Sequence, residues 1–319
     1  MARFFLRRLL FAIVLVAVAS SVALLLARLA PGDMTAQLGP FASRVDVEST
    51  RARFDLDRSP AAQWWLWVRR AVRFDFGDSF LYGRPVGPLV AKAAGNTALL
   101  GIVSLVAATL IGISLGVFTG SRGEGVPASI VRGASLVVLS MPPLVTSLLF
   151  VFVAARTGWL PSGSMTSSGA AAASWPAWIA DVLWHLPLPV LALSLPIAAT
   201  FERLQSQAMG EAVRQPFVLA AVARGAPRRL VILRHAWPVS LRSVSAVYGL
   251  AIGALLSGSF IVEYVTTWPG LGRLMFDALR ARDIYLVAAC AAAGAGFLAL
   301  GTAAGDVLLA AADPRVRHE

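Results

Sequence analysis

Six stretches of the chain are long and apolar enough to cross a lipid bilayer, and this feature constrains the fold more than any other. A membrane-spanning helix needs about 20 consecutive, mostly apolar residues. Because lipid offers the backbone no hydrogen-bond partners, such segments fold as helices. We therefore predict an all-α polytopic membrane protein with six transmembrane helices, over approximately residues 9–30, 97–119, 133–155, 178–200, 245–264 and 284–311.

The composition excludes several other classes of protein. Hydrophobic residues make up 57% of the chain and charged residues 14%, whereas a soluble domain carries about 25% charged residues. A disordered chain has low hydrophobicity and high net charge, which is the opposite pattern. A single cysteine, Cys290, excludes a disulfide framework and a cysteine-rich metal site.

Prolines predict irregular helices in the third and fourth spans, and the N-terminal sequence decides whether the first span is retained. Pro142 and Pro143 predict a kink or break in the third span, and three prolines make the fourth the least regular. The N-terminus resembles a signal peptide, but its apolar run continues beyond the 7–15 residues of a secretory core. We therefore expect a retained first helix over residues 1–30, an extracytoplasmic segment over 31–96 and a five-helix core over 97–319.

The distribution of basic residues predicts the orientation. With the N-terminus in the cytoplasm, the cytoplasmic segments carry fourteen arginines, and the short outer loops carry four. Basic residues concentrate in short cytoplasmic loops, while segments longer than about 60 residues translocate largely regardless of charge. Both termini are therefore predicted to be cytoplasmic. Since the net charge of +11 lies in loops beside membrane helices, we expect no nucleic-acid partner.

The chain shows no ATP-binding motif of its own. A P-loop requires the pattern G-x-x-x-x-G-K-[ST], and the only lysine, Lys92, follows an alanine. No H-E-x-x-H pattern or cluster of cysteine and histidine occurs either. We expect no cofactor or metal on this chain. If it moves a solute at the expense of ATP, another chain must hydrolyse the nucleotide.

Glycines recur every four residues in three predicted spans, which is typical of closely packed membrane helices. They are Gly112, Gly116 and Gly120; Gly249 and Gly253; and Gly301 and Gly305. The first group also includes Ser114 in a G-x-S-x-G pattern, as in intramembrane serine proteases. A nucleophilic serine needs a base, and we predict that His185 lies toward the opposite side of the membrane.

Ionisable residues are scarce within the predicted spans. Asp181, Glu263 and Asp306 each lie within about two turns of a span end, where hydrogen bonds or ion pairs at the interface are expected. A stand-alone secondary carrier is the remaining alternative. It is poorly supported because no series of acids or histidines crosses the membrane as a proton relay would require.

The most informative segment is the predicted cytoplasmic loop 201–243. It carries seven arginines against two glutamates, and short apolar groups on either side of Gly225 predict two amphipathic helices. Gly225-Ala226-Pro227 indicates a helix stop and turn. From the residues alone, a basic helix on anionic lipid and a docking element for a cytosolic protein both remain open.

The loop resembles the EAA loop of permease subunits of binding-protein-dependent ABC importers, in particular dipeptide, oligopeptide and nickel permeases. That pattern reads E-A-A, three residues, G, nine residues, and then I-x-L-P. Ala220, Ala221, Gly225 and Pro238 match it, while Leu219 replaces the acid. Other similar fragments occur in the family's order over about 290 residues: Leu29–Asp33, Phe54–Arg58, Phe74–Ser79, Arg84–Val86, Asn96–Thr97, Glu263–Gly272, Asp306 and Asp313–Arg315.

The resemblance implies a function, partners and sites, all written here as expectations. The chain is expected to be a permease in a bacterial inner membrane that works with a second permease, two ATPases holding ATP and Mg²⁺, and an extracytoplasmic binding protein. Its cargo is expected to be a short peptide, with nickel, glutathione or another small solute as alternatives. Residues expected to contact the ATPase are Leu219, Ala220, Ala221, Arg224, Gly225, Arg228, Arg229, His235 and Pro238.

The outer segments are expected to lie against the bilayer or the binding protein. Trp64, Trp65 and Trp67 interleave with Arg69 and Arg70, as in amphipathic helices at a membrane interface. On the binding-protein or gating side, the resemblance points to Glu263, Trp268, Pro269 and Gly270. His235 is expected to make a structural hydrogen bond.

Overall fold

The computed structural model describes residues 2–30, 44–55, 57–123, 125–169, 174–245 and 247–312. Within them lie the helices α1 (Ala2–Leu29), α2 (Arg44–Arg53), α3 (Pro60–Ala71), α4 (Val86–Arg122), α5 (Val126–Ser140), α6 (Pro143–Thr157) and α7 (Trp175–His185). They continue with α8 (Pro187–Ala212), α9 (Pro216–Ala223), α10 (Arg228–Val231), a π-helical turn (Ile232–Ala236), α11 (Trp237–Ser245), α12 (Tyr248–Val265), α13 (Leu271–Ala281) and α14 (Ile284–Ala312). The prediction of an all-α membrane protein is confirmed.

Five helices, α1, α4, α8, α12 and α14, are each long and apolar enough to span a membrane. The third predicted span is broken as expected: α5 and α6 meet at an angle of 108° beside Met141 and Pro142. Proline cannot donate the backbone hydrogen bond that continues a helix, so two consecutive prolines interrupt it. The fourth span differs from the prediction, because α7 ends at His185 and α8 alone provides the long helix.

The packing shows that α5 and α6 together cross the bundle. The α8 and α12 helices are antiparallel, since Phe201 stacks on Tyr248 while Gly258 approaches Leu193. The start of α5 is bound to the end of α4, where Arg132 donates to the carbonyl oxygen of Thr119. The segment after α6 is bound to the end of α12, through Ser164 N–H and the Thr266 carbonyl oxygen, 2.8 Å apart. These ends are on opposite sides of the helices, and with α5 and α6 counted as one broken span the described residues have six candidate spans rather than five.

The close approach expected from the glycine repeats is present in two places. The α4 and α8 helices are parallel and so near that a Cβ atom at Gly112 or Gly116 would lie 2.5 Å from α8 atoms, and one at Gly120 would overlap Ser206. The α14 helix approaches α12 at Gly301 and Gly305 in the same way. Both contacts lie within the chain.

The chain divides into two compact units. One comprises Met1–Thr97 and Pro269–Ala299, with a core that includes Trp67, Tyr285 and Leu286; the other comprises Ala98–Trp268 and Leu300–Glu319, with a core that includes Phe201 and Trp268. Two helix ends differ from the predicted spans: α4 begins at Val86 rather than near 97, and α8 continues to Ala212 rather than 200. Polar residues at these ends lower the hydropathy without interrupting the helix.

Candidate coupling segment

Residues 213–245, which connect α8 to α12, form a compact series of short helices that we call the α8–α12 segment. One face of α9 is buried: Val218 and Ala221 pack with Met209 and Ala212 at the end of α8, and with Val231 of α10. Burying these side chains fixes α9 against the end of a membrane helix. The segment is therefore held in place by its own small core.

Gly225 ends α9 in a defined turn. Its φ angle is +85°, a left-handed conformation that residues with a side chain rarely adopt. The N–H of Gly225 donates to the carbonyl of Val222, and the N–H of Ala226 donates to that of Ala221. This is the Schellman arrangement, in which glycine ends a helix and satisfies its last carbonyls. The helix stop predicted at Gly225 is confirmed.

Polar contacts attach the segment to two membrane helices. The Arg228 guanidinium donates to the carbonyl oxygen of Ser121 at the end of α4, at 3.1 Å. On the other side, Gln205 Nε2 of α8 donates to Ser240 Oγ of α11 at 2.7 Å, and both side chains are buried. A basic group near a helix C-terminus also interacts favourably with its carbonyl dipoles. A displacement of the segment would therefore act on both α4 and α8.

The outward face of the segment combines apolar and basic side chains. Leu219 and Leu233 are 57% and 54% exposed, and Phe217, Val222 and Leu230 are also exposed. The same segment exposes arginines whose guanidinium groups form no ion pair with a described residue: Arg214, Arg224, Arg229, Arg234 and Arg242. Exposed apolar groups with a polar rim are typical of surfaces that bind another protein.

The structure places the residues expected to contact the ATPase in different environments. Exposed positions are Leu219, Ala220, Arg224, Gly225, Arg229, His235 and Pro238, whereas Ala221 belongs to the buried face and Arg228 binds α4. His235 lies in the π-helical turn, and its side chain makes no hydrogen bond to a described residue, so the expected structural hydrogen bond is not present there. Sequence reasoning assigned 201–212 to a loop and therefore missed the buried contacts of Glu202 and Gln205.

The family comparison places this geometry in a known class. Residues 112–318 match the model of the binding-protein-dependent transport system inner membrane component. The chain belongs to this family of ABC importer permeases. It is a multi-pass inner membrane protein and a transport subunit rather than an enzyme. Ser114 of the alternative protease motif lies on α4 with its side chain exposed.

Curated relatives match the permease over almost their whole length. It is 32% identical to the oligopeptide transport system permease protein OppB of Mycobacterium tuberculosis, over 99% of each chain. It is 29% identical to the oligopeptide transport system permease protein AppB of Bacillus subtilis, over 100% of each chain. The glutathione transport system permease protein GsiC of Escherichia coli is also 29% identical, over 100% of each chain.

The permease's predicted outer elements form a network within the first unit. Asn96 Nδ2 donates to the carbonyl of Pro269, and the N–H of Leu271 donates to Thr97 Oγ1, both at 2.8 Å. Buried Asp283 accepts from Ser79 Oγ at 2.6 Å. The fragment Asn96–Thr97 therefore meets the fragment Glu263–Gly272, two of those that carried the family resemblance. The fragments at 31–33, 56 and 313–315 lie outside the described residues.

The residues expected on the binding-protein or gating side are mostly buried. Trp268 and Glu263 are both 0% exposed and Gly270 is also buried, which leaves Pro269 at the surface. Contact of Pro269 with a binding protein and a gating role for the others both stay predictions. The predicted amphipathic helix is present as α3, in which Trp67 is buried and Trp65 is 60% exposed.

Proposed function

We propose that this permease forms half of a path for short peptides and that a second permease supplies the other half. In this proposal an extracytoplasmic binding protein delivers the peptide, and two ATPase subunits, which bind ATP and Mg²⁺, drive transport. The names of the oligopeptide permeases, which align over their full length, support the peptide assignment. The relative named for glutathione, itself a peptide derivative, supports the same chemical class.

The observation that carries the proposal is the outward face of the α8–α12 segment. The segment exposes apolar side chains together with arginines that have no described ion-pair partner. Such a surface favours binding to an acidic, partly apolar groove on a cytosolic protein. Because the segment is hydrogen-bonded to α4 and α8, a movement of the docked ATPase would be transmitted to these two membrane helices. A docked ATPase changes the conformation only if its binding energy differs between the inward- and outward-facing states. Closure of the ATPases on ATP would provide that difference.

The docking proposal is tested by Leu219→Asp in the complete complex, reconstituted in vesicles. A carboxylate on this face should oppose docking, so we expect loss of the co-purifying ATPase subunits and of peptide uptake. Val126→Asp is the matched control, since Val126 is 75% exposed but lies at the start of α5, outside the segment. If both variants retain the ATPases and full uptake, this face is not the docking surface.

The cargo is tested in the same vesicles with labelled tri-alanine. We expect ATP-dependent uptake that an excess of other short peptides reduces and that nickel ions do not. Uptake of glutathione alone, or of nickel alone, would contradict the peptide assignment while leaving the importer assignment intact. Transport without any ATPase subunit would contradict the importer mechanism and favour a stand-alone carrier.

A further inference from the structure

A cavity of about 470 Å³ lies between α5 and α8, toward the end of α8 that enters the α8–α12 segment. Charged and neutral polar side chains are among its lining residues. Its lining residues are Arg132, Ser135, Leu136, Leu139, Glu202, Arg203, Ser206, Gln207, Gly210, Glu211 and Arg214. Seven of these come from α8 or the residue pair just after it, and they recur on one face of that helix.

Four of the polar lining residues have described hydrogen-bond partners, among them Gln207 and Glu211, which bind each other, whereas two arginines form no described ion pair. Arg132 donates to the carbonyls of Thr119 and Gly123, and Thr119 Oγ1 donates to the buried Glu202 carboxylate at 2.6 Å. Arg203 and Arg214 are exposed and form no ion pair with a described residue. The cavity therefore presents two guanidinium groups that are free to bind an anion.

The position of Arg203 inside the candidate span α8 favours water, rather than lipid, as the content of the cavity. Arg203 lies nine residues before the end of α8, which is about 13 Å along the helix axis. A guanidinium facing acyl chains at this depth is costly, and charged residues within spans usually face a bundle interior or a water-filled space. The α8 helix also has the lowest mean hydropathy of the five long candidate spans, 1.2.

We infer that this cavity is the solute vestibule of the permease on the side of the α8–α12 segment, and that Arg203 binds the C-terminal carboxylate of the passing solute. The inference rests on the proposed peptide function. Every linear peptide with a free C-terminus carries a terminal carboxylate, whatever its side chains are. Guanidinium groups bind carboxylates through paired hydrogen bonds. Ser206 and Gln207 provide neutral donors and acceptors for the peptide backbone.

Cysteine accessibility in the complete complex tests whether the cavity is an aqueous vestibule. Buried Cys290 is the only cysteine, so Cys290→Ala gives the background. In inside-out vesicles, a charged, membrane-impermeant methanethiosulfonate should label Gln207→Cys, and tri-alanine should reduce the labelling. Leu110→Cys is the matched control, because Leu110 is exposed on α4 away from the cavity lining and should stay unlabelled. Absence of labelling at Gln207→Cys would show that lipid or a partner subunit covers the cavity, and would overturn the inference.

The role of Arg203 is tested by comparing uptake of tri-alanine with that of its C-terminal amide. Loss of a hydrogen bond to a charged group corresponds to about a tenfold or larger effect. Arg203→Gln should therefore reduce kcat/KM for tri-alanine about tenfold relative to the amide, and Arg203→Lys should restore part of it. An equal reduction for both peptides would exclude carboxylate binding at Arg203. If the wild type transports neither peptide, the proposed cargo is wrong, and the cysteine labelling still decides the vestibule.

Discussion

The contact between α4 and α8 gives a prediction that can be worked out from distances. A Cβ atom added at Gly116 would lie 2.5 Å from Gln205 Cβ and 2.8 Å from the carbonyl oxygen of Glu202, whereas ordinary contact begins at 3.4 Å. For Gly116→Ala, the two helices must separate by roughly one ångström, because neither obstacle is the end of a flexible side chain. Overpacking of this kind costs about 1–3 kcal/mol.

The matched control is Gly101→Ala in the same helix, where a Cβ atom would meet nothing within 4 Å. Both substitutions add the same methyl group to α4, so their difference isolates the clash with α8. The measurement is the free energy of unfolding in mixed micelles, from denaturant titration of both variants and the wild type. We expect Gly116→Ala to be less stable than Gly101→Ala by about 1–3 kcal/mol. Equal stabilities would refute the close approach of α4 and α8.

Three further predictions address the turn after α9, a buried carboxylate and a buried ring. Gly225→Glu should cost about 1–2 kcal/mol of stability, because residue 225 is in the left-handed conformation, and it should lower the amount of peptide taken up per ATP hydrolysed. Gly225→Asn tolerates that conformation and should keep the wild-type ratio. Equal ratios of uptake to hydrolysis in both variants would argue against a role of this turn in coupling. Asp283→Ala removes the cap of α14 and leaves the buried Ser79 hydroxyl and Leu286 N–H without their acceptor, so it should destabilise the chain by at least about 2 kcal/mol. Asp57→Ala removes only an exposed ion pair and should have little effect in the same denaturant titration. Trp268→Ala should lower the free energy of unfolding by about 3–5 kcal/mol, whereas Trp159→Ala should change it very little, because the Trp159 ring is exposed. Similar decreases for the two variants would indicate that Trp268 lies at the surface.

The all-α membrane fold and the break at Pro142 and Pro143 could be predicted, because hydropathy and proline act locally. The ends of α4 and α8 could not be located in the same way. Hydropathy detects apolar character rather than helical conformation, so the window ended near residue 200 although the helix continues through Glu202 and Gln205. Those two polar residues are tolerated because Thr119 and Ser240 bind them. Their partners lie far away in sequence.

The turn at Gly225 was predictable for a similar local reason, since glycine followed by proline is a standard end to a helix. The contact of Arg228 with Ser121 was not, because the two residues are separated by 107 positions and no local pattern relates them. The burial of Trp268 could not be predicted either. A Trp-Pro-Gly sequence indicates a turn but does not say on which side the ring lies, and the ring is in fact wholly buried.

The central claim is that a separate ATPase binds the outward face of the α8–α12 segment. The most direct measurement is photo-crosslinking from benzoylphenylalanine at Leu233, an exposed position of that face, in native membranes, with the same probe at Val126 as the control. The account predicts an adduct with an ATP-hydrolysing subunit from Leu233 that is absent from Val126. Adducts with lipid alone, or with the same proteins from both positions, would contradict it.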